Sequence, residues 1–278
     1  MKNCFISKLI VSVFLVILAN SAYAWDLTRD FNSGALGMKA EASDAFSEAA
    51  GGAEYSNERS VEGGKSAKLK VVGGTEGFGY WGGIIGFPQK VFRGETIWLE
   101  MYIYMPDTFV IKTPGNGSLK FLRFRSRKAD GAHSGYVDMQ IIDDGSSDPE
   151  EFRMLREIQD EWFYYGQNGM LTRDKWHRVN VELTVDNIAV NQGGTAQAKF
   201  WLDGNLITIE KNIKAIISAT DYIESFFLFT YWNGMAPKDQ HLWVDNIQIS
   251  NERPVWVDVL GGSKVLAPPA TPTDVIVH

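Results

Sequence analysis

From residue 96 to 105 the chain alternates between apolar and polar or amphipathic side chains. Ile97, Leu99, Met101 and Ile103 occupy one parity, and Trp98, Glu100, Tyr102 and Tyr104 the other. A period of two is a strand with one buried face. Residues 136–142 repeat it, with Val137, Met139 and Ile141 set against Tyr136, Asp138 and Gln140; residues 178–185 do so with Val179, Val181, Leu183 and Val185. Residues 119–125 are a further strand. Asp203-Gly204-Asn205, lying between the apolar runs 198–202 and 206–209, predicts a hairpin. The aromatic run 223–232 predicts a strand buried on both faces, and 241–250 a closing strand. Only 40–50 and 148–160 admit a turn or two of helix. Many strands at short spacing, without an alternating strand–helix rhythm, predict an all-β sandwich of two antiparallel sheets.

The N-terminus has a different pattern. Lys2 and Lys8 flank a basic start, residues 9–18 are apolar, and Ser21-Ala22-Tyr23-Ala24 places small residues where a signal peptidase reads. This is a secretory leader, with cleavage expected between Ala24 and Trp25. Its apolar stretch falls short of the roughly 20 residues that span a bilayer. The expected layout is a leader at 1–24, one domain at 25–258 and a Pro-rich tail at 259–278, in a secreted or periplasmic protein. The sole cysteine, Cys4, leaves with the leader, so the mature chain has neither disulfides nor a thiolate metal site. Its 254 of 278 residues suffice for a core without such staples. Loss of Lys2 and Lys8 takes the net charge from −7 to −9, which argues against a nucleic-acid partner. No membrane partner is expected after cleavage.

Against that acidic background, residues 118–128 carry Lys120, Arg123, Arg125, Arg127 and Lys128 and no acid. Arg123, Arg125 and Arg127 share one strand face; Lys120 has the other parity and joins them only through a bulge or at the strand end. Guanidinium forks on one face suit carboxylates or sulfates; a solvated face paired with acids is the competing reading. If the strands bearing Glu100, Tyr102 and Tyr104 and bearing Tyr136 and Gln140 neighbour the basic strand, the sheet presents Tyr, Arg and Gln together. That set suits β-elimination on a uronic-acid sugar. The reaction needs a neutralised carboxylate (Arg123, Arg125, Gln140), a base for the C5 proton and an acid for the leaving oxygen (Tyr136, Lys120 or His133). A cross-strand tyrosine ladder is the structural alternative. His177 reads as structural. The acidic turn at 143–148 could hold structural calcium but lacks the EF-hand spacing, and no other cofactor is expected. Trp81, Trp162 and Trp232 are candidates for sugar stacking or for core packing. Phosphate-binding glycine loops, HExxH and the Gly-x-Ser-x-Gly elbow are absent.

Three stretches carry a family resemblance. They are Trp176-His177-Arg178-Val179, Phe200-Trp201-Leu202-Asp203-Gly204 and Leu242-Trp243-Val244-Asp245-Asn246-Ile247. In this order they resemble the strands of concanavalin A-like jelly rolls of the carbohydrate-active kind, over most of the mature chain. Among enzymes on that fold the sequence is most similar to polysaccharide lyases that cleave alginate or glucuronan. One group of alginate lyases pairs a lysine with a tyrosine-bearing strand, which implies Lys120 and Tyr136. A second group closes its site with a strand that Phe227 and Asn233 match, whereas Leu228, Trp232 and Gly234 stand where its pattern has lysine, tyrosine and glutamine. Tyr231 is one place off, and reaches the site face only if the strand bulges. The paired carboxylates of laminarin- and agar-cleaving enzymes are missing. The resemblance implies an exported lyase acting on an anionic polysaccharide. A non-catalytic carbohydrate-binding jelly roll and a ligand-free surface domain are the alternatives, since a fold alone does not choose between them.

Overall fold

The computed structural model describes residues 23–49, 51–79, 81–112, 118–143, 151–165 and 171–257. Most of the expected leader, most of the acidic turn at 143–148 and the expected tail lie outside them. The strands among the described residues are β1 (Asp26–Arg29), β2 (Glu48–Ala49), β3 (Ala53–Ser56), β4 (Ser66–Val71), β5 (Glu76–Phe78), β6 (Gly83–Val91), β7 (Thr96–Tyr104), β8 (Ser118–Arg127), β9 (His133–Ile142), β10 (Glu151–Arg156), β11 (Glu161–Tyr165), β12 (Trp176–Thr184), β13 (Gln197–Leu202), β14 (Asn205–Glu210), β15 (Tyr222–Met235) and β16 (Gln240–Ser250). One antiparallel sheet runs β14-β13-β12-β7-β16-β4-β3, with β1 also on β16. The other runs β11-β10-β9-β8-β15-β6-β2, with β5 also on β15. The chain is an all-β sandwich of two antiparallel sheets.

Alternation explains which face of each strand is buried. Ile97, Leu99, Met101 and Ile103 of β7 are buried in the core, as are Val179, Val181 and Leu183 of β12. From the other sheet Leu122, Phe124, Met139, Ile141, Phe226 and Leu228 meet them. Each such side chain contributes about 1.5–3 kcal/mol by leaving water. Phe152 of β10 packs on Phe200 of β13 with ring centroids 5.0 Å apart, so the sheets interdigitate there. Beside that contact the buried Arg156 ties them by charge, to Glu210 of β14 and to Glu161. The expected hairpin joins β13 and β14. Asp203 and Gly204 both have positive φ, 51° and 82°, as a two-residue turn matched to strand twist requires.

Two expectations fail. Residues 40–49 hold no helix, and Ala40, Ala45 and Phe46 are instead buried in the core from an irregular segment. Residues 151–156 are β10, followed by a single 3₁₀ turn at Glu157–Gln159. Here packing against β9 outweighs a local pattern that helix and strand share.

Candidate active site

The outward face of the second sheet collects the basic strand, and two facing bulges make that possible. In β8 the pairing with β9 shifts between Lys120 and Leu122. In β15 the pairing with β8 shifts between Leu228 and Tyr231. The extra residues are phenylalanines, and both point inward. Phe121 and Phe229 are fully buried, with ring centroids 5.0 Å apart. Phe229 sits at φ 49°, a left-handed conformation costly for a bulky side chain. Because β8 absorbs one extra residue against β9, Lys120 changes parity and shares the outward face with Arg123, while the extra residues of β15 leave Tyr231 on the same face as Phe227. Lys120 is then opposite Tyr231 on one side and Gln140 on the other. Its ammonium lies 4.8 Å from the Tyr231 ring.

A fully buried carboxylate anchors this arrangement. Asp138 Oδ2 is 3.0 Å from Lys120 Nζ and accepts from Gln140 Nε2 at 3.0 Å. Burial lifts the Asp138 pKa above its ordinary range, while Lys120 and Arg123 pull the other way. Gln140 Oε1 in turn accepts from Ser118 Oγ at 2.8 Å and from Arg153 Nη2 at 2.9 Å. Asn233 Nδ2 donates to Ser118 Oγ at 2.9 Å. Four strands, β10, β9, β8 and β15, are thereby tied through side chains on one face.

Next to this network Arg123 is only 2% exposed. Its Nη2 donates to Thr230 Oγ1 at 2.9 Å, and its guanidinium lies 4.6 Å from the Tyr136 ring centroid, 5.0 Å from Phe78, 5.3 Å from Phe227 and 5.4 Å from Tyr231. Burial lowers its pKa, and Asp138 opposes the shift. Arg125 is half-buried, pairs in register with Tyr136, and among the described residues has no carboxylate partner. Arg127 is spent on Glu224 and on the Gly131 carbonyl. The exposed His133 ring lies 4.8 Å from that of Tyr136. Burial, then Arg125, Arg127 and Arg123, lower the His133 pKa. Burial raises that of Tyr136, against Arg123 and Arg125. Neighbouring groups pushed in opposite directions are the pattern of an acid beside a base.

This architecture has solved counterparts. An alginate lyase with bound alginate tetrasaccharide superposes with a TM-score of 0.57 at 15% identity, over 81% of this chain and 96% of its own. An endo-β-1,4-glucuronan lyase from the fungus Trichoderma reesei gives 0.51 at 13%, over 82% and 99%. An alginate lyase from a Chlorella virus gives 0.50 at 13%, over 71% and 88%. The chain shares their jelly-roll fold. No protein-family model matches the sequence, and no curated protein sequence matches it.

On this jelly-roll fold the candidate residues divide. Lys120, Arg123, Arg125, Tyr136, His133 and Gln140 come together on the outward face of one sheet. Glu100, Tyr102 and Tyr104 do not join them. Their strand, β7, pairs with β12 and β16 in the other sheet, so the expected neighbourhood with the basic strand is corrected. There Glu100 accepts from Asn180 Nδ2 at 2.7 Å, and the buried Tyr104 donates to Asp174 at 3.1 Å. Gln140 is also placed otherwise than expected. It is fully buried with its oxygen crowded by donors, so it positions the network instead of receiving a sugar carboxylate. Trp81 and Trp232 are core residues packed edge to face at 6.3 Å, whereas Trp162 is exposed. Among the described residues no group of three or more His, Asp or Glu is placed to hold a metal ion. Ser118, Arg153 and Thr230 carried no sequence signal of their own, since single polar residues in strands are common, whereas Asn233 was marked by the family resemblance. Tyr231 was legible only on condition of the bulge.

Proposed function

We propose that this protein is an exported polysaccharide lyase that cleaves a uronate-containing polymer, alginate or glucuronan in type, by β-elimination. The observation that carries the reading is Arg125, a half-buried cation without a carboxylate partner among the described residues, set beside a phenol and an imidazole. Arg125 meets the uronate carboxylate, with Lys120 adding positive charge further along the strand, and the developing negative charge at C5 is stabilised. His133, kept neutral by burial and three arginines, takes the C5 proton. Tyr136, kept protonated by burial, gives one to the leaving oxygen. Ring centroids 4.8 Å apart suit two groups acting on adjacent atoms of one sugar. Asp138 and Gln140 hold Lys120 in place. A basic leader and small residues at positions 22 and 24 support export.

Incubation with alginate, glucuronan and pectin, read by the absorbance of unsaturated uronate, tests the reaction. Tyr136→Phe is expected to lower kcat by roughly 10²–10⁴-fold, as loss of a proton donor does, and Lys120→Ala by roughly 10²–10³-fold, as loss of a stabilising charge does. Retention on these polymers without any absorbance rise rejects the lyase and leaves a binding module. N-terminal sequencing of the exported protein is expected to begin at Trp25.

A further inference from the structure

The site has an apolar extension that the reaction does not use. Arg123, Asp138, Leu155 and Trp162 are successive partners across β8, β9, β10 and β11, so they form one row on the outward face. Trp162 ends that row and is 39% exposed. The guanidinium of Arg153 lies 4.0 Å from the Trp162 ring centroid. Arg153 also donates through Nε and Nη2 to Gln140 Oε1, at 3.1 and 2.9 Å, and through Nη2 to Ser118 Oγ. The indole is thus braced by the same network that holds Lys120. At the opposite end Phe78 of β5 is 58% exposed, against Tyr231 and Arg123. Five strand spacings of about 4.8 Å separate β5 from β11, or about 24 Å, the reach of several linked sugars. Cations lie in the middle of this path and exposed rings at its ends. A uronate polymer has matching chemistry, with carboxylates on its edges and C–H faces that stack on aromatic rings.

We propose that Trp162 is a sugar-stacking platform for a uronate polymer lying across the strands of this sheet, with Arg153 as the residue that positions the indole. The inference rests on the lyase reading for the identity of the polymer. It makes the far end of this row, and not the reacting centre, the place where chain length is sensed.

The test compares wild-type protein with Trp162→Ala, Trp162→Phe and Arg153→Lys, each checked for folding by circular dichroism. On long uronate fragments Trp162→Ala is expected to raise KM about tenfold, the loss of one stacking contact. The shortest fragments cleaved, which do not reach β11, are expected to show less than a twofold change. Trp162→Phe is expected to recover most of the loss, and Arg153→Lys to resemble Trp162→Ala in KM. An unchanged KM on long fragments for Trp162→Ala overturns the platform. If wild-type protein cleaves nothing, retardation in gels containing alginate or glucuronan replaces KM. Retardation that Trp162→Ala abolishes keeps the platform while the lyase reading fails, and no retardation of the wild type overturns both.

Discussion

Asp138 and Asp245 are both buried carboxylates on the outward face of a sheet, and their surroundings are opposite. Asp138, on β9, faces Lys120 at 3.0 Å and feels Arg123. Asp245, on β16, accepts from the backbone N–H groups of Val61 and Asn246, both at 2.8 Å, with Asp30 and Glu62 nearby. The first carboxylate organises cationic side chains on a bulged pair of strands. The second fastens a loop to a strand through main-chain donors. The difference teaches where to look for chemistry: side-chain cations that a buried acid holds in place can still meet a ligand, whereas backbone donors already satisfied cannot.

The comparison breaks most visibly at Asp138. Asp138→Asn leaves Lys120 and Arg123 without their counter-charge, and losing one member of a buried ionic group costs about 3–5 kcal/mol. The expected result is a urea midpoint well below wild type, with cleavage lost even at temperatures where the variant is folded. Retained stability together with retained cleavage would remove Asp138 from its anchoring role.

At Asp245 the expected signature is in pH. Burial, reinforced by Asp30 and Glu62, raises its pKa to about 7. The unfolded carboxyl titrates near 3.9, so the folded state binds the proton more tightly. Its contribution is therefore fully present below about pH 4 and is lost as pH rises through about 7, on the order of 4 kcal/mol in all. Asp245→Asn keeps a neutral side chain throughout. The difference in stability between wild type and variant is expected to move in the variant's favour from pH 4 to 7, measured by denaturant unfolding across that range. A pH-independent difference contradicts the burial of the charge.

How much of this could be read from the sequence follows from the physics of strands. Alternation exposed β7, β9 and β12, because a face buried in the core must be apolar at every second residue. The Asp203-Gly204 turn was legible because both positions need positive φ. Strands β10 and β11 were missed, since residues 151–163 mix charged and apolar side chains at spacings that suit a helix as well; Arg153 was hidden with them, and Trp162 was named as a stacking candidate without a place on the sheet. The basic row at Arg123, Arg125 and Arg127 was visible from parity. The placement of Lys120 was not, because a bulge inverts parity and leaves no local mark beyond a phenylalanine among many. Which strands neighbour β8 was also beyond reach: Glu100 and Tyr136 have the same local pattern, and only long-range pairing sends them to different sheets.

That last point yields the smallest expected effect. Glu100 and Tyr102 have the residue types of a sugar site but belong to the face organised like Asp245. Glu100 is engaged by Asn180 across the pair of β7 with β12. Tyr102 stands opposite Arg178, and burial raises its pKa, with Glu100 adding to the shift. Glu100→Gln keeps an oxygen for Asn180, and Tyr102→Phe keeps the ring that packs beside Arg178. Each is therefore expected to change stability by no more than about 0.5–1 kcal/mol and cleavage by less than twofold. The measurement is the absorbance assay beside a thermal melt. A large loss of cleavage in either variant, with the melt unchanged, would move substrate contact to the β7 sheet and undo the division between the two faces.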